Sequence, residues 1–255
     1  MDGSEGWDAY APFYDWENAR TMGRRDVAFW QRLAAAAEGR VLELGCGTGR
    51  VLIPMARAGA RAVGVDRSRR MLARARVRMR AARERARPAL VRGDVRDLPF
   101  DPESFALTIA PYGLLQSLLT DADLRGAIAS VARVTRRGGL FGIDLVPDLP
   151  AWREYRRRVK LRGRRAGTGA TITLIESVRQ DRRRGLTHFD EEYVERRRGA
   201  AEVRRFSLRF RTLSVKQMVG RLERGGFRLR AVFGDYHGGP WHAGADVWVI
   251  LAERI

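Results

Sequence analysis

A short apolar run, Val41-Leu42-Glu43-Leu44, leads straight into Gly45-Cys46-Gly47-Thr48-Gly49 and then into Val51-Leu52-Ile53-Pro54-Met55-Ala56. Three glycines in five residues free the backbone from the limits a Cβ imposes, so the pattern reads as buried strand, tight turn and helix. That combination constrains the fold strongly. It gathers backbone amides and a helix N-terminus at one spot that a polar or anionic ligand can approach closely.

The same alternation continues along the chain. Residues 62–65 form a second buried strand closed by Asp66, and Ser68 is placed to cap a helix with Met71, Ala75, Met79 and Ala82 on one face and arginines on the other. A third strand at 89–91 ends at Gly93-Asp94, a fourth spans 105–109, a helix spans 123–134, and a fifth strand spans 139–145. Near-continuous apolar strands alternating with helices predict a mostly parallel, doubly wound sheet covered on both faces. Ahead of it, residues 7–39 read as a helical segment dense in aromatics (Trp7, Tyr10, Phe13, Tyr14, Trp16), with a helix at 26–37.

After Val146 the period changes from buried runs to apolar–polar alternation at 171–178, 187–195 and 203–211, with turns at 182–185 and 198–201. These three segments predict an inserted antiparallel β meander. A helix at 214–224 with Ser214 as its cap, the pair Gly225-Gly226, and strands at 227–233 and 247–252 complete the sheet. The expected organisation is a cap (residues 1–40), a main α/β domain (41–146 and 212–255) and an inserted cover (147–211).

The ligand at the glycine turn can be narrowed by spacing. The dinucleotide fingerprint G-x-G-x-x-G would need glycine at position 50, which is Arg50, so a nicotinamide dehydrogenase is disfavoured. Asp66 ends the next strand, where a carboxylate can accept bonds from both ribose hydroxyls.

These residues resemble the S-adenosylmethionine-dependent methyltransferases with the seven-stranded Rossmann-like fold. The similarity rests on Val41 to Gly49, Val63-Gly64-Val65-Asp66, Arg92-Gly93-Asp94-Val95, Asp97-Leu98-Pro99-Phe100, Arg136-Arg137-Gly138-Gly139-Leu140 and Gly225-Gly226-Phe227. It implies S-adenosyl-L-methionine as cofactor and S-adenosyl-L-homocysteine as product. It also implies that Gly45, Cys46, Gly47 and Gly49 lie along the methionine part and Asp66 on the ribose. Arg67 and Met71 would flank the adenine, Asp94 and Val95 would bond its edge, Ala110 would face the methyl donor, and Tyr14 would cover the amino-acid end. One departure is Phe105-Ala106, where the family usually has an acid after the aromatic. Singly, each residue has a plainer reading: Met71 as core, Asp94 as a turn residue, the glycines as a tight turn.

Methyl transfer from a sulfonium mainly needs donor and acceptor held in line away from water. No Ser/His/Asp set or metal-ligand cluster is evident. Methylation of exocyclic base amines does not fit Ala110-Pro111-Tyr112, which lacks the amide or acid and the second proline that the resemblance would require. Carbon-five methylation of cytosine needs a cysteine nucleophile, and the one cysteine, Cys46, sits in the glycine turn. Tyr112, just past the fourth strand, and His237, in Asp235-Tyr236-His237, are the candidate catalytic residues. His188 and His242 read as structural or solvated. Phe189, Tyr193, Phe206 and Phe210 of the meander read mainly as its docking face, with a pocket wall as the alternative.

Charge favours nucleic acid only at first sight. Lys+Arg number 49 against Asp+Glu 30, a net charge of +19, yet just Lys160 and Lys216 are lysines, and Arg, Ala and Gly share GC-rich codons. Many arginines fall on a helix back or at hairpin turns such as 182–184 and 196–198, where solvation suffices. A lone cysteine and an acidic start, Met1-Asp2-Gly3-Ser4-Glu5, without the regions of a secretory signal, predict a cytoplasmic protein outside the membrane. The expected function is methyl transfer to nitrogen or oxygen of a small organic molecule, by a monomer or homodimer. The alternatives are ribose or ring-nitrogen methylation of RNA through the arginine-rich surface, and a cofactor-binding regulatory subunit without turnover.

Overall fold

The structure, a computed structural model, describes residues 7–21, 25–81, 87–146 and 154–255. Residues 1–5, Ala82 and positions 147–153 of the expected cover lie outside the described residues. Seven strands form one sheet: β1 (Arg40–Leu44), β2 (Arg61–Asp66), β3 (Ala89–Arg92), β4 (Phe105–Ala110), β5 (Thr135–Leu145), β10 (Phe227–Phe233) and β11 (Trp248–Arg254). Their order is β10-β11-β5-β4-β1-β2-β3, and β11 alone runs antiparallel to both of its neighbours. Helices α2 (Val27–Ala35), α3 (Leu52–Arg57) and α4 (Arg69–Ala81) bury Trp30, Met55 and Leu72 with Val41 and Ile109. On the opposite face α5 (Asp121–Val134) and α6 (Val215–Arg224) bury Leu124, Ile128, Met218 and Leu222 against Leu42, Leu44 and Ile143. The doubly wound, mostly parallel α/β fold is therefore the one expected. The strand order reverses between β1 and β4, and such switch points open a crevice beyond the C-terminal ends of the strands.

The second sheet has four antiparallel strands rather than three: β6 (Tyr155–Arg164), β7 (Thr171–Asp181), β8 (Leu186–Arg197) and β9 (Ala200–Arg211), in that order. The additional strand, β6, reads YRRRVKLRGR and is largely exposed at the sheet edge, so no buried face imprints an alternating pattern on it. Charge on an edge strand also hinders pairing with another chain. The β8–β9 hairpin turns through Arg198 (φ 49°) and Gly199 (φ 82°), two left-handed residues that match the twist of tight hairpins. Helix α5 starts two residues earlier than expected because Thr120 Oγ1 accepts from the Asp123 amide at 3.0 Å. Helix α6 begins with the Ser214 cap, completed into a reciprocal capping box by Gln217.

Gly64 in β2 shows how closely the glycine turn rests on the sheet. A Cβ there would come within 2.5 Å of Leu52 Cδ2 and 2.7 Å of Cys46 Sγ. Overpacking of this kind typically costs ~1–3 kcal/mol. Gly64→Ala is therefore expected to lower stability in urea unfolding by that amount. Adding Cys46→Ala should restore part of it, and no recovery would show that Cys46 does not set the spacing.

Helix α1 (Trp7–Asn18) is fastened from both sides. Asp15 accepts from Thr48 Oγ1 in the glycine turn at 2.6 Å and from Arg74 of α4 at 2.8 Å, with Arg78 at 3.2 Å. Asp8 accepts from the Ser68 hydroxyl, whose oxygen in turn caps α4 by accepting from the Met71 amide at 3.0 Å. On its other side α1 buries Tyr10, Phe13 and Trp16 against Ile172, Leu174 and Tyr193 of the meander. The Phe13 and Tyr193 rings lie 4.4 Å apart.

Candidate active site

The glycine turn is built from left-handed residues: Gly45, Gly47 and Gly49 have φ of 58°, 53° and 78°. A Cβ at Gly49 would strike Ile53 at 2.9 Å, and one at Gly45 would strike Leu114 at 2.7 Å. At Gly47 it would touch nothing closer than the Tyr14 ring at 3.8 Å, because that position opens into a cavity. Asp66 closes the turn, with Oδ2 accepting from the Gly47 amide at 2.8 Å and Oδ1 from the Ser68 amide at 2.7 Å. Burial raises the Asp66 pKa, opposed by those two amides. A carboxylate has about four acceptor positions, so two remain for a diol.

The cavity lies at the switch point and is partly open to solvent. It is walled by Gly45, Gly47, Asp66, Arg67, Met71, Asp94 and Val95 of the glycine turn and the strand ends beside it, by Pro111, Tyr112, Leu114 and Phe210, and by Trp7 and Tyr14 of α1. Nine of the thirteen residues singled out in the sequence thus meet around one space. The resident groups fit the cofactor: glycine backbone, a half-buried carboxylate with spare acceptor positions, and an apolar slot at Met71 and Val95.

Asp94 is already engaged, since Arg96 donates to Oδ1 from Nε at 3.0 Å and to Oδ2 from Nη2 at 2.7 Å. These bonds hold its carboxyl below the usual range. Cys46, Gly49 and Ala110 stand behind the wall: Cys46 and Ala110 are buried and outside the lining, and Gly49 packs on Ile53. Burial pushes the Cys46 thiol well up, leaving it inert as a nucleophile.

The structure separates the two candidate catalytic residues. Tyr112 lines the cavity with the Arg50 guanidinium 5.5 Å over its ring. Burial, reinforced by the neighbouring Tyr14, Glu17 and Glu191, pushes its hydroxyl well above the ordinary phenol range. A hydroxyl raised in this way keeps its proton near neutral pH. His237 is exposed, its amide bonded to Asp235 Oδ1 at 2.7 Å, and it lies outside the cavity wall. The turn aims Tyr236 inward instead, with its hydroxyl on Asp144 at 2.8 Å.

Arg50, which the spacing singled out only for not being glycine, forms a two-pronged ion pair with Asp26 at 2.5 and 2.7 Å. It also bonds the Tyr14 hydroxyl, whose pKa is raised to about 12, mainly by burial. Of the four meander aromatics, Phe210 reaches the cavity and stacks edge-on with Phe189 at 5.8 Å, while Tyr193 and Phe206 pack on α1. An aromatic at the meander's exit end is the available signal for Phe210.

Behind α1 three carboxylates converge. Glu176 and Glu191 sit directly opposite each other on β7 and β8 and are both buried, and Glu17 reaches the same place. Tyr10 and Tyr193 both donate to Glu17. A phenol has one proton, so the 3.2 Å contact between Tyr193 and Glu191 is satisfied when Glu191 holds a proton and donates it. Burial, then the charges of Glu17 and Glu176, raise the Glu191 pKa to about 9. Between about pH 4.5 and 9 the folded chain therefore holds a proton that the unfolded chain releases, and stability falls as pH rises through this window. Glu191→Gln should flatten that fall in urea unfolding at pH 5, 7 and 9. Parallel curves for the two proteins would rule the assignment out.

Residues 41–139 match the model of a family described as a methyltransferase domain. The chain is 30% identical over 190 residues to a demethylmenaquinone methyltransferase of Paenarthrobacter aurescens (strain TC1), covering 68% of this chain and 70% of that one. It spans about half the length of other curated relatives it matches, at 34% and 36% identity. The CcbJ methyltransferase from Streptomyces caelestis aligns over 100% of this chain and 99% of its own, with a TM-score of 0.80 at 21% identity. The glycopeptide N-methyltransferase MtfA, solved with S-adenosyl-L-homocysteine, aligns over 91% and 88%, with a TM-score of 0.60 at 26% identity. With its motif order, strand order and relatives in agreement, the chain belongs to the class I, Rossmann-like S-adenosylmethionine-dependent methyltransferases.

Proposed function

We propose that the protein transfers a methyl group from S-adenosylmethionine to a nitrogen or oxygen of a small organic acceptor. The observation that carries this reading is a cavity at the switch point whose wall includes both Asp66 with the glycine turn and Tyr112, Leu114 and Phe210. When bound, the cofactor would supply an electrophilic methyl on a sulfonium; the S–CH3 bond breaks as the acceptor lone pair takes the methyl, leaving a neutral thioether, and an N–H or O–H acceptor gives up its proton to solvent. The chain's task is to hold and dry the site. Gly45, Gly47, Asp66, Met71, Asp94 and Val95 bind the cofactor, Tyr14 and Trp7 close it from α1, and Phe210 closes the acceptor end. The Tyr112 hydroxyl, which keeps its proton, orients the acceptor by donating to it.

Two features support a small acceptor over RNA. Arginines near the cavity are engaged locally, Arg74 and Arg78 by Asp15 and Arg96 by Asp94 and Asp123. The names of two of the similar proteins, the Paenarthrobacter enzyme and MtfA, also refer to a quinone and a glycopeptide. Among the described residues no helix is long and apolar enough to cross a membrane. The cap and cover roles of α1 and the meander belong to the same proposal.

The test is transfer of labelled methyl from S-adenosylmethionine to a panel of small amines, phenols and carboxylates, with bulk RNA alongside. Label in a small acceptor and none in RNA is expected. Label in RNA alone, lost steeply with salt, would overturn the reading. Tyr112→Phe should lower kcat/KM by about tenfold, as for one hydrogen bond of ~0.5–1.5 kcal/mol, and not by the 10²–10⁴ typical of a lost general base. His237→Ala should keep the parent's rate and pH profile.

A further inference from the structure

Tyr112 reaches the cavity through an unusual backbone. It has φ 64°, a left-handed conformation that a side chain other than glycine's rarely adopts, and Gly113 follows at 63°. The turn stands directly after β4, beside the end of β5, because Ala110 pairs with Ile143. The next residue of β5, Asp144, is buried at 2% exposure. Its Oδ1 accepts from the Gly113 amide at 2.7 Å, and the Tyr112 amide bonds the same carboxylate. Its Oδ2 accepts from the Tyr236 hydroxyl at 2.8 Å. One carboxylate therefore holds two successive peptide planes, and a buried phenol holds the carboxylate. Such an arrangement persists only while the acceptor remains charged or its oxygens remain in place.

We propose that Asp144, oriented by Tyr236, is the positioning residue for acceptor binding, holding the left-handed Tyr112–Gly113 turn that aims the Tyr112 side chain into the cavity. The proposal rests on the reading of Tyr112 as the residue that touches the acceptor. Gln116 secures the same region from the other side, donating to the Val146 and Arg211 carbonyls at 3.0 and 3.1 Å and accepting from the Val146 amide at 2.8 Å. Gln116 thereby ties the residue that follows β5, two positions past Asp144, to the last residue of β9, one position past Phe210.

The groups that face the Asp144 carboxylate are the Tyr112 and Gly113 amides after β4, the Tyr236 hydroxyl after β10, and the Asp26 carboxylate ahead of α2. Asp26 is neutralised in turn by Arg50. Burial raises the Asp144 pKa to about 6, against the pull of its three donors. Below that pH the protonated acid becomes a weaker acceptor and the turn loosens.

The experiment uses the full chain labelled with 3-fluorotyrosine. Fluorine resonances are followed from pH 5 to 8, and the one for position 112 is assigned by its loss in Tyr112→Phe. The resonance is expected to titrate near pH 6, to lose that titration and shift in Asp144→Asn, and to move its midpoint to higher pH in Tyr236→Phe, which removes one donor. Tyr236→Phe keeps the carboxylate and serves if Asp144→Asn folds poorly. Binding of S-adenosylhomocysteine in both variants is expected within about threefold of the parent. A position-112 resonance indifferent to both variants would overturn the proposal. With an acceptor from the panel, Asp144→Asn should lower kcat about tenfold and add nothing to a Tyr112→Ala background, while additive losses would overturn the link through Tyr112. A fluorine response without loss of kcat would leave the positioning in place and refute the acceptor role of Tyr112.

Discussion

Asp66→Ala is expected to weaken binding of S-adenosylhomocysteine by roughly a hundredfold or more. Hydrogen bonds to a charged group contribute ~1.5–3 kcal/mol each, and the two free acceptor positions of this carboxylate suit the two hydroxyls of a ribose. The substitution also releases the Gly47 and Ser68 amides that Asp66 holds at 2.8 and 2.7 Å, so the glycine turn loses its clamp along with its ligand. Asp66→Asn separates the two effects. It retains an oxygen for one amide and should keep most of the stability while still losing most of the affinity. Calorimetry with S-adenosylhomocysteine reads the result, and a parent-like affinity in either variant would remove Asp66 from the cofactor site.

The second large effect is expected at Asp26→Ala. Asp26 is fully buried and Arg50 nearly so, and they meet through two short charged bonds. Removing one member leaves a guanidinium without its counter-charge, which typically costs ~3–5 kcal/mol. For a chain of this size that corresponds to a Tm drop on the order of 10 °C. Arg50 also holds the Tyr14 hydroxyl and lies over the Tyr112 ring, so both aromatic walls of the cavity should loosen together. Replacing both members, Asp26→Leu with Arg50→Met, should recover most of the stability without recovering cofactor affinity. If the single variant unfolds in urea at the parent's midpoint, the pair carries no structural weight.

Local signals announced most of the fold. The glycine turn, the Ser68 and Ser214 caps and the apolar strands each express their role in adjacent residues, and the strand-end positions of Asp66, Asp94 and Tyr112 follow from that register. Strand β6 escaped because edge pairing uses backbone groups and leaves most of the strand exposed, with Leu161 its one aliphatic side chain packed inward, so little alternation marks YRRRVKLRGR. Asp144 escaped for a different reason: its meaning depends on β5 lying beside β4, a contact between residues about thirty positions apart. His237 attracted attention as a histidine near a strand end, yet Asp235 draws that turn's amides outward and leaves Tyr236 facing in. The carboxylates Glu17, Glu176 and Glu191 come together only when α1 docks on the meander.

A crystal structure with S-adenosylhomocysteine shows whether this cavity is the cofactor and acceptor site. Ligand density is expected in the cavity, with ribose hydroxyls on the Asp66 carboxylate, the base between Met71 and Val95, and the sulfur on the side facing Tyr112. Density elsewhere on the molecule, or a cavity without ligand at a concentration that saturates the protein in solution, would contradict it.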